Sequence, residues 1–103
     1  MAPKAFLSTS TFHVRPGKER EFAKLWEETV CNLATKAGCT KAGIYCKAGS
    51  TIYMTTGHWQ SEQAFNNFFN SPEAKPVIEK ALALCSKNTP DRMFYEIIQE
   101  RAA

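Results

Sequence analysis

Apolar and polar positions alternate along residues 5–14, with Phe6, Ser8, Ser10, Phe12 and Val14 on one side and Leu7, the threonines and His13 on the other. A period of two marks an extended strand, whose successive side chains point to opposite faces. Pro16-Gly17 ends the alternation, and from Lys18 the spacing changes. Phe22, Leu25, Trp26, Thr29, Val30 and Leu33 recur at steps of three and four, which lines one face of a helix running to about Lys36. Ala37-Gly38 stops it, because glycine accepts the left-handed conformation found just past a helix end. Cys39 to Lys47 reads as a second strand centred on Ile44 and Tyr45. Ala48-Gly49-Ser50 is a turn of hairpin length. Thr51 to Trp59 is a third strand, rich in the β-branched and aromatic residues that suit a pleated surface.

Two residues past Trp59 a helix opens. Ser61 is placed to accept a backbone N–H of the first turn, and Glu62 sets negative charge at the positive end of the helix. The helical pattern runs to about Asn70, where Ser71, Pro72 and Glu73 restart it. The second piece carries Val77, Ile78, Ala81, Leu82 and Cys85 inward and ends near Ser86. Asn88 to Asp91 is a loop, and Met93 to Gln99 is a closing strand. The order βαββαβ predicts an α+β, ferredoxin-like fold, a four-stranded antiparallel sheet with helices on one face. The other face, carrying Leu7, Ile52 and Met54, has no element left to cover it. An isologous homodimer is the simplest solution.

A chain of 103 residues is one domain. Its net charge of +3 is carried by scattered lysines and arginines, with no basic stripe for nucleic acid. No apolar run reaches the roughly 20 residues needed to span a membrane, and Met1-Ala2-Pro3-Lys4 is not followed by the apolar run of a secretory leader. Cys31, Cys39, Cys46 and Cys85 include no Cys-x-x-Cys pair, which leaves a zinc site without support. Each has apolar neighbours, so four buried, reduced thiols in a cytoplasmic protein are expected.

Chemistry concentrates around Trp59. It shares a strand face with Tyr53, Thr55 and Gly57, and Gly57 is expected to leave open space beside the indole where a flat ligand can lie. Phe65, Phe68 and Phe69 follow on the next helix with Asn66 and Asn67, an aromatic lining with a few polar groups. The bland alternative is that Trp59 and the phenylalanines are plain core. His13 and His58 are the only histidines, near strand ends, and His58 is expected on the sheet face opposite Trp59. No Gly-x-Gly-x-x-Gly fingerprint points to a nicotinamide or flavin, and no histidine–carboxylate cluster points to a metal.

Val14-Arg15-Pro16-Gly17-Lys18, the Gly38-Cys39 step, and Trp59-Gln60-Ser61 followed by Ala64-Phe65 occur here in the order found in the antibiotic biosynthesis monooxygenases. From about Ser8 to Ile98 the chain resembles that family, a branch of the dimeric α/β-barrel proteins. The resemblance implies a homodimer whose two sheets pack face to face. It also implies a monooxygenase that oxidises phenolic or quinol-type rings with O2, using neither metal nor other cofactor. Trp59 matches the family's pocket tryptophan. The tailoring members carry a tyrosine six residues later, where this chain has Phe65, so a hydroxyl is missing. On this reading Trp59, Asn67 and His58 are the candidate catalytic residues, with Tyr53 as a substitute donor. Tyr53, Thr55, Phe65, Phe68 and Ser10 form the wall of a substrate site between the sheet and the second helix. A sister group degrades haem through a helix histidine, a position that falls here at Ile78, and carries a first-strand asparagine where this chain has Ser10. That scheme therefore lacks its proximal ligand. A non-catalytic, stress-related or ligand-binding module on the same fold is the remaining alternative.

Overall fold

The computed structural model describes residues 5–87 and 89–101. The stretch Met1 to Lys4, read above for a leader, and Asn88 of the last loop lie outside them. Four antiparallel strands form one sheet: β1 (Phe6–His13), β2 (Lys41–Cys46), β3 (Ile52–Trp59) and β4 (Asp91–Glu96), in the order β2-β3-β1-β4. The expected ferredoxin-like βαββαβ arrangement is present. Alternation decides the faces. Ser8, Ser10 and Phe12 of β1, with Thr55, Gly57 and Trp59 of β3, are buried beneath the helices.

The first helical stretch is continuous, as its spacing predicts, but it is not uniform. It runs from α1 (Glu19–Leu25) through a π-helical turn (Trp26–Val30) into α2 (Cys31–Lys36), with the Cys31 N–H donating to the Trp26 carbonyl. A π turn takes one extra residue per loop of backbone and commonly marks a functional position. Here it brings Trp26, Val30 and Ala34 onto one internal cavity. Gly38, at a φ of 111°, lets the chain leave α2 while the Cys39 N–H returns to the Ala34 carbonyl.

α3 (Glu62–Phe69) begins as expected, the Ser61 hydroxyl accepting from the Ala64 N–H at 3.1 Å. Ser71 then serves two helices. Its hydroxyl donates to the Phe68 carbonyl at 2.7 Å and accepts from the Ala74 N–H at 3.2 Å, closing α3 and opening α4 (Ala74–Ala83). α4 stops short of Ser86 because β1's end claims the backbone there: Cys85 bridges to Val14, and the Ser86 N–H donates to the His13 carbonyl. β4 lies earlier than its pattern suggested, since its pairing with β1 spans Thr11↔Asp91 to Phe6↔Glu96.

Two clusters fill the space under the helices. One gathers Ala34, Cys39, Trp59, Phe65, Phe68 and Ala74; the other gathers Phe12, Val14, Phe22, Ala81 and Cys85. The opposite sheet face has no helix over it; Thr9 there is buried and His58 is covered beside Glu100, but Tyr45, Met54, Met93 and Tyr95 are exposed. The expectation of four buried thiols holds for Cys39 and Cys85 only. Cys46 is exposed, because β2 is an edge strand with little above its end, and Cys31 is half-buried. Among the described residues no helix is long and apolar enough to cross a membrane.

Candidate active site

Trp59 ends β3, and its indole turns back along the strand. Nε1–H donates to the Ser8 hydroxyl at 3.1 Å, and Ser8 in turn donates to the Gly57 carbonyl at 3.4 Å. Phe65 and Phe68 of α3 pack on the indole with ring centroids 5.7 and 5.5 Å away. Gly57 has a different part from the one its small size suggested. A Cβ there would lie 2.6 Å from Trp59 Nε1 and 3.2 Å from Ser8 Oγ. The patch above Gly57 is occupied by the tryptophan itself, so no ligand lies in it. Backbone without a side chain is what lets a strand residue fold its ring over its own strand.

The free space lies beside this assembly. A cavity of about 50 Å³, taken as the room open to the centre of a water molecule, sits between the sheet and the helices. Its floor includes Ser8, Ser10, Thr55 and Trp59; Trp26, Val30, Phe65, Phe68, Phe69 and Ile78 close it from above. A single water needs roughly 10–15 Å³ on this measure, so the cavity holds a few small molecules, whereas a settled ligand pocket is several times larger. Ser10 and Thr55 face each other across the β1–β3 ladder and are 3% and 9% exposed. Among the described residues neither hydroxyl takes part in a hydrogen bond. Two hydroxyls without partners on buried residues, side by side on an apolar floor and open to the cavity, are the site's distinctive polar feature.

Trp59, Ser10, Thr55, Phe65 and Phe68 therefore come together around one cavity. Tyr53 does not join them. Its ring packs 5.6 Å from Phe22 in the second cluster, and burial, then the neighbouring Cys46 thiol, holds its phenol above the usual value. Asn67 is exposed on the outer side of α3, in a surface groove with Leu33, Lys36 and Ala37, and Phe68 stands between that groove and the cavity. His58 lies on the opposite sheet face with Nε2 2.9 Å from a Glu100 carboxylate oxygen, and its Nδ1 is buried without a partner. His13 is on that face too, 4.0 Å from Asp91. The strand period had separated His58 from Trp59; the outward turn of Asn67 depended on how α3 rotates about its axis.

Ser8 and Cys39 are wall residues that the sequence reading passed over. Ser8 was legible, since it shares the strand face of Ser10. Cys39 follows Gly38 and donates its S–H to the Lys41 carbonyl at 3.2 Å, while burial pushes its thiol up and keeps it protonated. Ile78, where the haem-degrading scheme would need a histidine, presents an apolar side chain to the cavity.

Three solved structures share the arrangement. A monooxygenase from the ActVA-Orf6 gene of Streptomyces coelicolor, in complex with nanaomycin D, aligns with a TM-score of 0.81 at 20% identity, covering 98% of this chain and 94% of that one. SnoaB, a cofactor-independent oxygenase from Streptomyces nogalater, aligns in a mutant form at 0.76 and 19% identity, over 96% of this chain and 97% of that one. A conserved protein from Methanosarcina mazei Go1 aligns at 0.78 and 19%, over 90% and 92%. At such identities these likenesses speak for the fold. A comparison with curated proteins found no match. The sequence itself, however, matches the antibiotic biosynthesis monooxygenase (ABM) family over residues 6–80. That span is well over half of the molecule and takes in Trp59, Ser10, Thr55 and most of the cavity wall, and the chain belongs to the antibiotic biosynthesis monooxygenase family.

Proposed function

We propose that this protein is a cofactor-independent monooxygenase that oxidises a phenolic or quinol-type ring with O2 in the cavity beside Trp59. The observation that carries the reading is the pair of unpaired hydroxyls of Ser10 and Thr55, both buried residues, on the floor of an otherwise apolar cavity. A partly open apolar space admits a planar ring once a wall residue yields, and unpaired donors beside it suit the oxygen of that ring. The oxygenases among the structural neighbours add support by fold.

The chemistry asks little covalent work of the protein. A phenol gives its O–H proton to water before it enters; the bound phenolate passes one electron to O2, and the peroxide that follows takes a proton back from water. Recombination of the resulting pair at a ring C–H carbon gives a hydroperoxide; loss of water from it leaves one oxygen atom on the ring as a quinone carbonyl. Phenol plus O2 thus becomes quinone plus water. Ser10 and Thr55 donate to the phenolate oxygen, Trp59 and Phe68 hold the ring flat, and the apolar walls keep most water from the bound ring. Trp59 itself is kept in place by Ser8 and is a wall, with its own N–H already spent. On this reading Asn67, His58 and Tyr53 lie outside the reacting set. The bare sheet face, with Leu7, Ile52, Met54, Met93 and Tyr95, is covered by a second copy of the chain.

Oxygen uptake with 1-naphthol, and the appearance of 1,4-naphthoquinone, tests the proposal. A Ser10→Ala/Thr55→Val variant should lose at least about a hundredfold in rate, the worth of one well-placed oxyanion donor. A chelator should leave the wild-type rate unchanged. Activity lost on chelation and restored by iron would overturn the mechanism. Ring binding without oxygen uptake would identify a binding module instead.

A further inference from the structure

The two hydroxyls belong to a longer row. In the sheet register Thr55 pairs with Ser10, and Ser10 pairs on its other side with Arg92 of β4. Directly paired residues in an antiparallel sheet stand about 4.5–5.5 Å apart, so a hydroxyl, a hydroxyl and the root of a guanidinium follow one another across the sheet, the last of them outside the cavity lining. Arg92 turns to the helix side, where its guanidinium carbon lies 4.0 Å from the centre of the Phe69 ring. Phe69 is one of the residues closing the cavity. The guanidinium thus waits behind an aromatic wall whose other side is the site.

Two further facts single out this wall. Among the described residues Arg92 forms no salt bridge; it is exposed on the edge strand β4, with the Phe69 ring against its guanidinium. Partial desolvation holds its guanidinium below the usual value. The cavity of about 50 Å³ is also too small for a substituted ring, so some part of the wall must yield when a ligand enters. Phe65 and Phe68 are buried at 6% and 5% exposure, whereas Phe69 is only half-buried and lies beside the edge strand β4. Trp26 is the other half-buried ring of the wall, and of the two Phe69 is the one against the Arg92 guanidinium.

We propose that Arg92 is the anion-recognising residue of this site, and that the ligand is an aromatic ring bearing an anionic oxygen group. The ring enters by displacing Phe69 and takes over its contact with the guanidinium. A planar carboxylate or phenolate matches the fork of an arginine, and stacking on the guanidinium face keeps the ring level with Ser10 and Thr55. The inference rests on the reading of the cavity as a ring-binding site and adds the charge of what binds there.

Calorimetric titration with 6-hydroxy-2-naphthoate and with 6-hydroxy-2-naphthamide, at pH 7 and low salt, tests it. The two probes share ring and hydroxyl and differ in charge. Wild-type protein is expected to bind the carboxylate about tenfold more tightly, a charge-assisted contact at a partly exposed site. Arg92→Gln should abolish that preference, weakening the carboxylate more than the amide, which loses only the stacking contact, and Arg92→Lys should keep part of it. Equal binding of the two probes by wild type, or a preference that survives Arg92→Gln, would overturn the role of Arg92 and leave the ring site standing. If neither probe binds, the ring-site reading fails, and this inference fails with it.

Discussion

Gly57 and Gly43 each lie two residues before an aromatic whose ring folds back over them, Trp59 on the covered sheet face and Tyr45 on the bare one. In both places an added Cβ would come within 2.6 Å of the ring's polar atom. The local device is the same, and its consequences are opposite. Trp59 is 3% exposed, boxed by Phe65 and Phe68 and tied to Ser8, while Tyr45 is 54% exposed. One ring has nowhere to go, and the other can swing into solvent. What a glycine–aromatic pair does is decided by the layer above it.

The largest expected effect comes from removing the covered ring. Trp59→Ala should cost about 3–5 kcal/mol in urea unfolding, since a buried indole leaves a hole that the neighbours fill only in part. Tyr45→Ala should stay within about 0.5 kcal/mol, as exposed substitutions do. Similar losses for the two would break the comparison. For that reason Trp59→Phe is the better variant in activity assays, where a folded protein is required.

Next in size is a change on the bare face. Introducing Met54→Asp together with Met93→Asp places charge on the surface proposed to meet a second copy. Sedimentation should show association weakened at least about a hundredfold, because an unpaired charge is costly to desolvate. A wild-type chain that sediments as a monomer at micromolar concentration would show that this face is simply solvated.

Smaller effects sharpen the contrast between the glycines. Gly57→Ala should lose about 1–3 kcal/mol, the usual cost of overpacking, because the indole must move and surrender its bond to Ser8. Gly43→Ala should change stability by no more than about 0.5 kcal/mol. A Trp emission shift in the first variant and none in the second would locate the strain where the packing puts it.

Much of this protein was legible in its sequence because the governing physics is local. Alternation placed Ser8, Ser10 and Phe12 on one face of their strand and Thr55 and Trp59 on one face of theirs, since side chains along a strand point to alternate sides whatever the strand pairs with. Ser61 and Ser71 announced their helix starts because a cap bonds to backbone three residues away. The element order implied the sheet and its bare face, and the Pro-Gly-Lys, Gly-Cys and Trp-x-Ser markers carried the family.

The tertiary structure decided which of these residues meet. Ser10 stands beside Thr55, 45 positions further along the chain, and beside Arg92 on the other edge, only through strand register. The rotation of α3 sends Phe65 and Phe68 inward and Asn67 out, and the π turn aims Trp26 and Val30 at the same space. Trp59 fills the gap over Gly57 because two phenylalanines and a serine from other elements press it there. Periodicity fixes the direction of a side chain relative to its own backbone; the company it keeps follows from packing between segments distant in the chain.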